Sequence, residues 1–298
     1  MLSPACRIME SVNLPGGTDR LMPAHPGQVT ELFGVPKAVV GMIHVGALPG
    51  SPLGGRPLRE IVAQAVEEAR LLASMGLDAL MVENMHDRPY LRQRVGPEVV
   101  SAMTAVAAAV REAVDLPLGV QILAGANREA LAVAATVGAS FLRAENFVFA
   151  HVADEGLMPD ADAGPLLRYR REIGAEHVRV FADIKKKHAG HALTADIDVT
   201  EAARAAAFFG ADGVIVTGVA TGKPADLSDL RQVAAAVELP VAVGSGITPG
   251  NLADFWPHAD VFIVGSFYKE DGQWHRPIDP DRLELLMRAV DQARIGSA

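Results

Sequence analysis

The chain has 298 residues, and hydrophobic residues make up 50% of them, a share too large for an intrinsically disordered protein. The formal net charge of −9 at pH 7 argues against nucleic acid as a partner, because such binding requires a basic surface. No apolar run reaches the roughly 20 residues of a transmembrane helix, and the single Cys6 can form no internal disulfide. We therefore expect a cytoplasmic protein without a membrane span.

Pro and Gly are frequent in residues 1–28, which show no sustained periodicity and are predicted to extend outside the fold. From Lys37 onward, apolar β-branched runs alternate with Ala-rich stretches of helical period. The predicted strands cover residues 38–44, 77–83, 117–123, 139–145, 178–184, 212–218, 240–246 and 259–265. The predicted helices cover residues 58–75, 97–114, 128–137, 165–173, 199–209, 227–237, 251–255 and 281–293.

Eight such units in about 260 residues favour a single (β/α)8 TIM barrel, an α/β fold, over residues 29–298. Most of the strands lack polar alternation, as strands buried on both faces should. A doubly wound dinucleotide-binding fold is less favoured, because no G-x-G-x-x-G follows the first strand.

Polar residues end almost every predicted strand, and in a barrel these carboxyl ends carry the active site. We predict acid–base or nucleophilic roles for a first set: His44, Glu83, Glu145, Asp183 and Lys185. We predict substrate contacts for a second set: Asn84, Gln121, Arg143, Asn146 and Thr217. For Arg143 and Glu145, which share a face, a salt bridge that closes the barrel interior is an equal alternative.

The last two strands end in small residues that predict an anion site. Gly244, Ser245 and Gly246 end the seventh strand, and Gly265 and Ser266 end the eighth. Backbone N–H groups of such loops bind phosphate in the phosphate-binding type of barrel, since glycine lets the anion approach the main chain. The alternative is that these glycines only form tight turns.

The fifth strand runs into Asp183-Ile184-Lys185-Lys186-Lys187, and strand alternation would place Asp183, Lys185 and Lys187 on one face. An Asp beside a Lys in a dry pocket could move a proton, or Lys185 could form a Schiff base. A solvated basic loop is the alternative.

A divalent metal is the one cofactor that the residues suggest. Its candidate ligands are Glu83, Glu145, Asp183 and His188, although no H-x-H or H-E-x-x-H spacing supports the site. Two long loops, 147–164 and 186–198, are predicted to be lids or binding loops. A Gly- and Pro-rich segment after the first strand, residues 45–58, contains Arg56, which is either an anion contact or a surface charge.

Several long motifs together resemble the BtpA/SgcQ family from about Glu31 to Ala293. They are GMIHVGALPGSP, VENMHDRPY, RAENFVFAHVADEGLM, ADIKKKHA, TGVATG, GSGIT and GSFYKEDGQW. The resemblance implies a phosphate-binding TIM barrel. The family name refers to photosystem I biogenesis, and SgcQ-like members are associated with sugar-metabolism gene sets. The resemblance assigns no catalytic residue.

The leading hypothesis is an enzyme that acts on a phosphorylated sugar or nucleoside-derived metabolite. The reaction would be an isomerisation, a lyase reaction or cleavage of a glycosidic bond, and the partner would be a small anionic metabolite. A non-catalytic assembly factor and a flavin-binding oxidoreductase remain alternatives. Base rates alone favour a homo-oligomer.

Overall fold

Eight parallel strands close into a barrel in the computed structural model, which describes residues 26–218 and 220–296. Numbered in chain order, these strands are β1 (Ala38–His44), β2 (Ala79–Glu83), β3 (Leu118–Gln121), β4 (Phe141–Ala144), β7 (Arg179–Ile184), β9 (Gly213–Val216), β10 (Val241–Val243) and β11 (Val261–Val264). Around the barrel the order is β1-β2-β3-β4-β7-β9-β10-β11, with β11 pairing back to β1. This arrangement confirms the predicted (β/α)8 barrel.

Helices follow the strands and surround the barrel. They are α2 (Leu58–Ser74), α3 (Pro97–Ala113), α4 (Asn127–Val137), α5 (Ala163–Glu172), α6 (Val199–Phe208), α7 (Leu227–Ala236), α8 (Leu252–Phe255) and α9 (Pro280–Ile295). Their ends lie within about two residues of the predicted ends, the usual uncertainty at helix termini. None of the helices between residues 26 and 296 combines the length and the hydropathy needed to cross a bilayer.

Alternating side chains divide each strand between two cores. Outward residues such as Val39, Leu80 and Val120 pack against the helices. Inward residues such as Met42 and Met81 form a second core inside the barrel. Two inward positions are glycines, Gly119 and Gly213. A Cβ on Gly119 would lie 2.3 Å from the Phe141 ring, and a Cβ on Gly213 would lie 2.5 Å from the Phe181 ring. These gaps let large aromatic rings fill the barrel axis.

An additional helix, α1 (Pro26–Phe33), covers the amino end of the barrel and begins inside the segment predicted to be an extension. Its Val29 and Phe33 are buried, and the Phe33 ring packs edge-on against Phe141 with centroids 5.4 Å apart. This end of the barrel is therefore filled with apolar side chains. The rest of the predicted extension, residues 1–25, lies outside the described residues.

The two long loops contribute a small antiparallel sheet that sequence periodicity did not predict. Its strands are β5 (His151–Ala153), β6 (Gly156–Met158) and β8 (Ala189–Gly190), in the order β6-β5-β8. The sheet joins the loop after β4 to the loop after β7 at the carboxyl end of the barrel. Both loops thus form one structured unit beside the barrel mouth.

Candidate active site at the carboxyl end of the barrel

A cavity of about 410 Å³ opens at the carboxyl end of the barrel. We call it the central cavity. Side chains from the strand ends and from the loops that follow them line it, among them Glu83, Gln121, Arg143, Glu145, Lys186, Lys187, Tyr90, Glu155 and Trp274. Because the amino end is filled, ligands can reach the barrel axis only from this side.

Three of the inward side chains lie at the same level along the barrel axis. Strand pairing places His44 beside Glu83, and Glu83 beside Gln121. All three side chains are buried, and Oε1 of Gln121 has no hydrogen-bond partner within the described part of the chain. A buried amide oxygen without a partner costs free energy, so it points to a group supplied by a ligand.

Arg143 and Asp183 form a buried ion pair across β4 and β7. Arg143 Nε donates to both carboxylate oxygens of Asp183 at 3.1 and 3.2 Å, and Nη2 donates to Oδ2 at 3.0 Å. Burial raises the pKa of the Asp183 carboxyl, and the charge and hydrogen bonds of Arg143 oppose that rise. The pair holds the guanidinium in one orientation against the central cavity.

A second buried pair, Glu145 and Lys186, lies in the same cavity, with Lys186 Nζ 3.1 Å from Glu145 Oε2. Burial alone would raise the pKa of Glu145, but Lys186 and Arg143 bring it below its ordinary value. Glu145 is therefore ionised and engaged. It lines the cavity as a fixed negative charge.

Glu83 and Lys187 lack such direct partners and are the groups most suited to moving a proton. Burial raises the pKa of Glu83, against the opposing charges of Arg143 and Lys187. Burial and the charge of Arg143 lower the pKa of Lys187, whose Nζ makes no hydrogen bond among the described residues. The two pKa values move toward each other, which is the condition for acid–base chemistry near neutral pH.

His44 completes this group as a neutral hydrogen-bond acceptor. Its Nδ1 lies 2.9 Å from the carbonyl oxygen of Trp274, which can only accept, so Nδ1 carries the proton. Its Nε2 lies 3.9 Å from Glu83 Oε2. Burial, reinforced by the positive charge of Lys269, lowers the pKa of His44 to about 3.

The neutrality of His44 predicts a loss of stability in acid. Since the folded state holds the pKa at about 3, the unfolded chain takes up the proton first as the pH falls below 6.5. We compare how much the free energy of unfolding decreases when the pH falls from 7 to 4.5. We expect this decrease to be about 2–3 kcal/mol smaller in His44→Gln than in the unchanged protein. Urea unfolding at both pH values measures this difference. His177→Gln, an exposed position, should change nothing; equal losses in all three proteins would contradict the prediction.

Two smaller cavities continue from the central cavity toward the last strands. The first, of about 30 Å³, shares Glu83, Arg143 and Lys187 with the central cavity and adds Gly244, Ser245 and Gly265. The second, of about 140 Å³, is formed by Gly222, Gly246, Gly265 and Ser266 together with Arg282. We call this second one the loop pocket. It joins the small cavity because both are lined by Gly222, Gly246, Gly265 and Ser266.

Arg282 brings a positive charge to the loop pocket from α9. Its Nε donates to the carbonyl of Phe267 at 2.7 Å, and its guanidinium lies 4.6 Å from the centre of the Phe267 ring. These contacts fix the guanidinium while leaving other N–H groups available for an anion. The helix α8 begins at Leu252 and has only four residues, so we do not count its N-terminus as part of an anion site. The glycine loops and Arg282 supply the contacts of the pocket.

The model of the BtpA family matches residues 35–292 of the chain. The chain belongs to the BtpA family. One relative is photosystem I biogenesis protein BtpA of Synechocystis, 36% identical over 87% of this chain and 90% of the relative. Another is F13E9.13 of Caenorhabditis elegans, an uncharacterised protein named as mitochondrial, 46% identical over 85% of this chain and 92% of the relative.

Solved structures resemble this BtpA-family barrel at low sequence identity. A thiamine phosphate pyrophosphorylase from Pyrococcus furiosus has a TM-score of 0.52 and 16% identity, covering 89% of this chain and 98% of that one. A phosphoribosyl anthranilate isomerase from Thermus thermophilus has a TM-score of 0.52 and 15% identity, covering 85% and 98%. Both likenesses concern the TIM-barrel fold.

Five residues that the sequence assigned to the site line none of these cavities, and one of them is Asp183, whose carboxylate holds Arg143. Lys185 Nζ donates to the carbonyl of Thr194 at 3.3 Å and lines a small outer pocket separate from the central cavity, together with Asp183. Asn146 lines the same outer pocket. Asn84 and Thr217 instead hold the backbone: Asn84 Oδ1 accepts from Leu123 N, and Thr217 Oγ1 from Lys187 N. They support the loops that carry the site.

Lys185 departs from strand alternation because its own φ is +45°, in the left-handed region. The chain turns there, so Lys186 and Lys187 reach the central cavity instead. The run of three lysines was visible in the sequence, but alternation could not identify which of them faces inward. Arg282 and Trp274, which lie outside the strand ends, gave no signal in the sequence.

The four candidate metal ligands do not come together. Arg143 engages Asp183, Lys186 engages Glu145, and His188 lies near Thr221 and Asp154 at the exposed edge. Within residues 26–218 and 220–296, no three His, Cys, Asp or Glu side chains converge as a metal site would require. The geometry of the described residues gives no support to that set of ligands.

Proposed function

We propose that this BtpA-family barrel is an enzyme that moves a proton on a phosphorylated small metabolite. The continuity of the three cavities carries the proposal: residues shared between neighbouring cavities connect the loop pocket to Glu83 and Lys187, and these to the open central cavity. A substrate with a phosphate at one end would therefore place its adjoining atoms beside the two groups with shifted pKa values.

The loop pocket suits a phosphate in both size and charge. Its glycines let the anion approach the main chain closely, and Arg282 supplies a positive charge on its wall. Ser245 does not compete for this ligand, because its Oγ already donates to the carbonyl of Lys223 and accepts from Gly218 N. The Ser266 side chain is the hydroxyl that we place against the phosphate.

Glu83 and Lys187 would then act as an acid–base pair on the atoms next to the phosphate-bearing end. A carboxyl with a raised pKa can be protonated at its working pH, and an amine with a lowered pKa can accept a proton. His44 Nε2, neutral and unprotonated, faces the same region. Isomerisation and elimination both require such a proton transfer, and these are the reaction classes that we propose.

Screening phosphorylated metabolites by thermal shift tests the proposal, since a ligand of the native state raises its melting temperature. Compounds that stabilise the protein are then assayed for turnover. The proposal fails if no phosphorylated metabolite stabilises the protein, or if every compound that binds remains unconverted.

Ser266→Asp is expected to lower the affinity of the loop pocket for inorganic phosphate at least about tenfold, because the new carboxylate repels the anion. Calorimetric titration at low ionic strength measures the change. Ser101→Asp makes the same charge change at an exposed position on α3, away from all of these cavities, and should bind phosphate as the unchanged protein does. Unaltered affinity in Ser266→Asp would remove the loop pocket from the proposal.

A non-catalytic assembly role is the second candidate, favoured by the name of the Synechocystis relative. A relative of higher identity occurs in a nematode, an organism without photosystems, so a general role in photosynthesis is the weaker reading. The two functions separate in one experiment. An assembly factor should still capture its protein partner when Glu83 and Lys187 are neutralised, whereas an enzyme should lose turnover.

A further inference from the structure

A fourth cavity, of about 290 Å³, lies beside the central cavity between the loops that follow β1, β2 and β11. We call it the basic chamber, because Arg56, Arg88, Arg276 and Lys269 all line it. It borders the central site through His44, which also lines the small cavity next to Glu83, and through Arg88, which also lines the central cavity. None of the chemistry proposed above uses the chamber.

Among the described residues that line the chamber, the one acidic side chain, Glu68, is already neutralised. Lys269 Nζ lies 2.7 Å from Glu68 Oε2, with the side chains 2% and 11% exposed, and Gln64 donates to the other oxygen of Glu68 at 3.1 Å. This buried pair forms part of the wall. Among the described residues, the charges of Arg88 and Arg276 therefore have no acidic partner in the chamber, and Arg56 has Glu60 at the exposed rim.

The arginines are arranged to receive a ligand. The Arg88 guanidinium lies over the Trp274 ring, 5.1 Å from its centre, and neither Arg88 nor Arg276 has a side-chain hydrogen bond or ion pair among the described residues. Arg56 donates to Gln64 Oε1 at 2.5 Å, with Glu60 3.9 Å away at the exposed rim. Stacking on an aromatic face leaves the edge N–H groups of a guanidinium available for an anion.

The pKa of His86 reflects the same local positive charge. It lines the chamber and packs on Trp274 with ring centres 4.9 Å apart. Burial, followed by the charges of Lys269 and Arg88, lowers the pKa of His86 to about 4. The imidazole is therefore neutral at physiological pH and adds a polar, uncharged contact to the cationic wall.

We propose that the basic chamber is a second anion site, which binds a phosphoryl or carboxylate group of a small metabolite between Arg56, Arg88 and Arg276. Its volume approaches that of small-molecule pockets and exceeds what a single bound water or halide needs. The inference stands apart from the proposed reaction, because it requires only that an anion occupy the chamber. The anion is either the far end of the substrate held in the central cavity or a separate small molecule.

Calorimetric titration of the full chain with inorganic phosphate at low ionic strength tests the proposal. We expect two phosphates per chain, one in the loop pocket and one in the basic chamber. Arg276→Gln and Arg56→Gln should each weaken one of the two sites about tenfold, as the loss of a charge-assisted contact does, and leave the other unchanged. Both arginines are exposed, so the fold should tolerate these changes.

Arg59→Gln provides the matched control. Arg59 lies one residue after the start of α2, is 81% exposed and does not line the chamber, so both phosphates should bind as before. A single phosphate per chain, lost in Ser266→Asp but unaffected by Arg276→Gln, would overturn the chamber and leave the proposed function standing. A chamber phosphate that survives Ser266→Asp, with no phosphate in the loop pocket, would overturn the proposed function and leave the chamber standing.

Competition between phosphate and a phosphorylated metabolite identifies the source of the anion. A phosphorylated metabolite from the thermal-shift screen that displaces phosphate from both sites spans them, and the chamber then holds the far end of the substrate. A metabolite that displaces only the loop-pocket phosphate leaves the chamber for a separate ligand. Failure of both Arg276→Gln and Arg56→Gln to alter phosphate binding at any site rejects the chamber altogether.

Discussion

Replacing Arg143 with methionine is expected to lower the free energy of unfolding by about 3–5 kcal/mol, the usual cost of removing one partner from a buried ion pair. The Asp183 side chain is 1% exposed, so water cannot replace the three hydrogen bonds that it would lose. Chemical denaturation of Arg143→Met at pH 7 measures the loss.

The loss should depend on pH in a defined direction. Burial raises the pKa of Asp183 even with Arg143 present, and in the variant that opposing charge is gone. A carboxyl whose folded pKa is raised destabilises the fold above that pKa, and the penalty disappears as the group takes up a proton. We therefore expect Arg143→Met to be more destabilising at pH 8 than at pH 5.

Two variants separate the buried charge from other effects. Arg288→Met removes an arginine from an exposed i,i+4 pair with Glu284 and should cost less than about 0.5 kcal/mol. Arg143→Met with Asp183→Leu removes both charges and should recover most of the lost stability, because an apolar pair can replace a buried ion pair. If Arg143→Met costs no more than Arg288→Met, the pair does not stabilise the fold.

The barrel itself was predictable because its signals are local. The helix α4 ends at Val137, as predicted, where Gly138 adopts the left-handed conformation, and β4 begins at Phe141, two residues after its predicted start. The polar residues at the carboxyl ends of the predicted strands included Glu83, Gln121 and Arg143, and all three line the central cavity. These predictions hold wherever the backbone stays regular.

The parts that the sequence missed depend on long-range contacts or on irregular backbone. His44 bonds to Trp274, 230 residues away, and Glu68 pairs with Lys269 across 201 residues. Neither contact leaves a local pattern. The positive φ of Lys185 redirects the lysine run for a different reason, because a turn of this kind ends the alternation that any strand-based prediction assumes.

Glu83→Gln is expected to reduce turnover of the substrate found by the thermal-shift screen by about 10²–10⁴-fold, the usual contribution of a positioned acid or base. The amide keeps the shape of the side chain but cannot gain or lose a proton. The fall should appear in kcat with KM nearly unchanged, because the phosphate is held in the loop pocket, away from Glu83.

The same variant must still bind inorganic phosphate with normal affinity, which shows that its fold and loop pocket are intact. Glu67→Gln, on the exposed side of α2, makes an identical chemical change outside the cavities described above and should retain full turnover. Turnover of Glu83→Gln within about threefold of the unchanged protein would exclude Glu83 as the proton-transfer group. Lys187 would then be the remaining group whose pKa is shifted toward neutral pH.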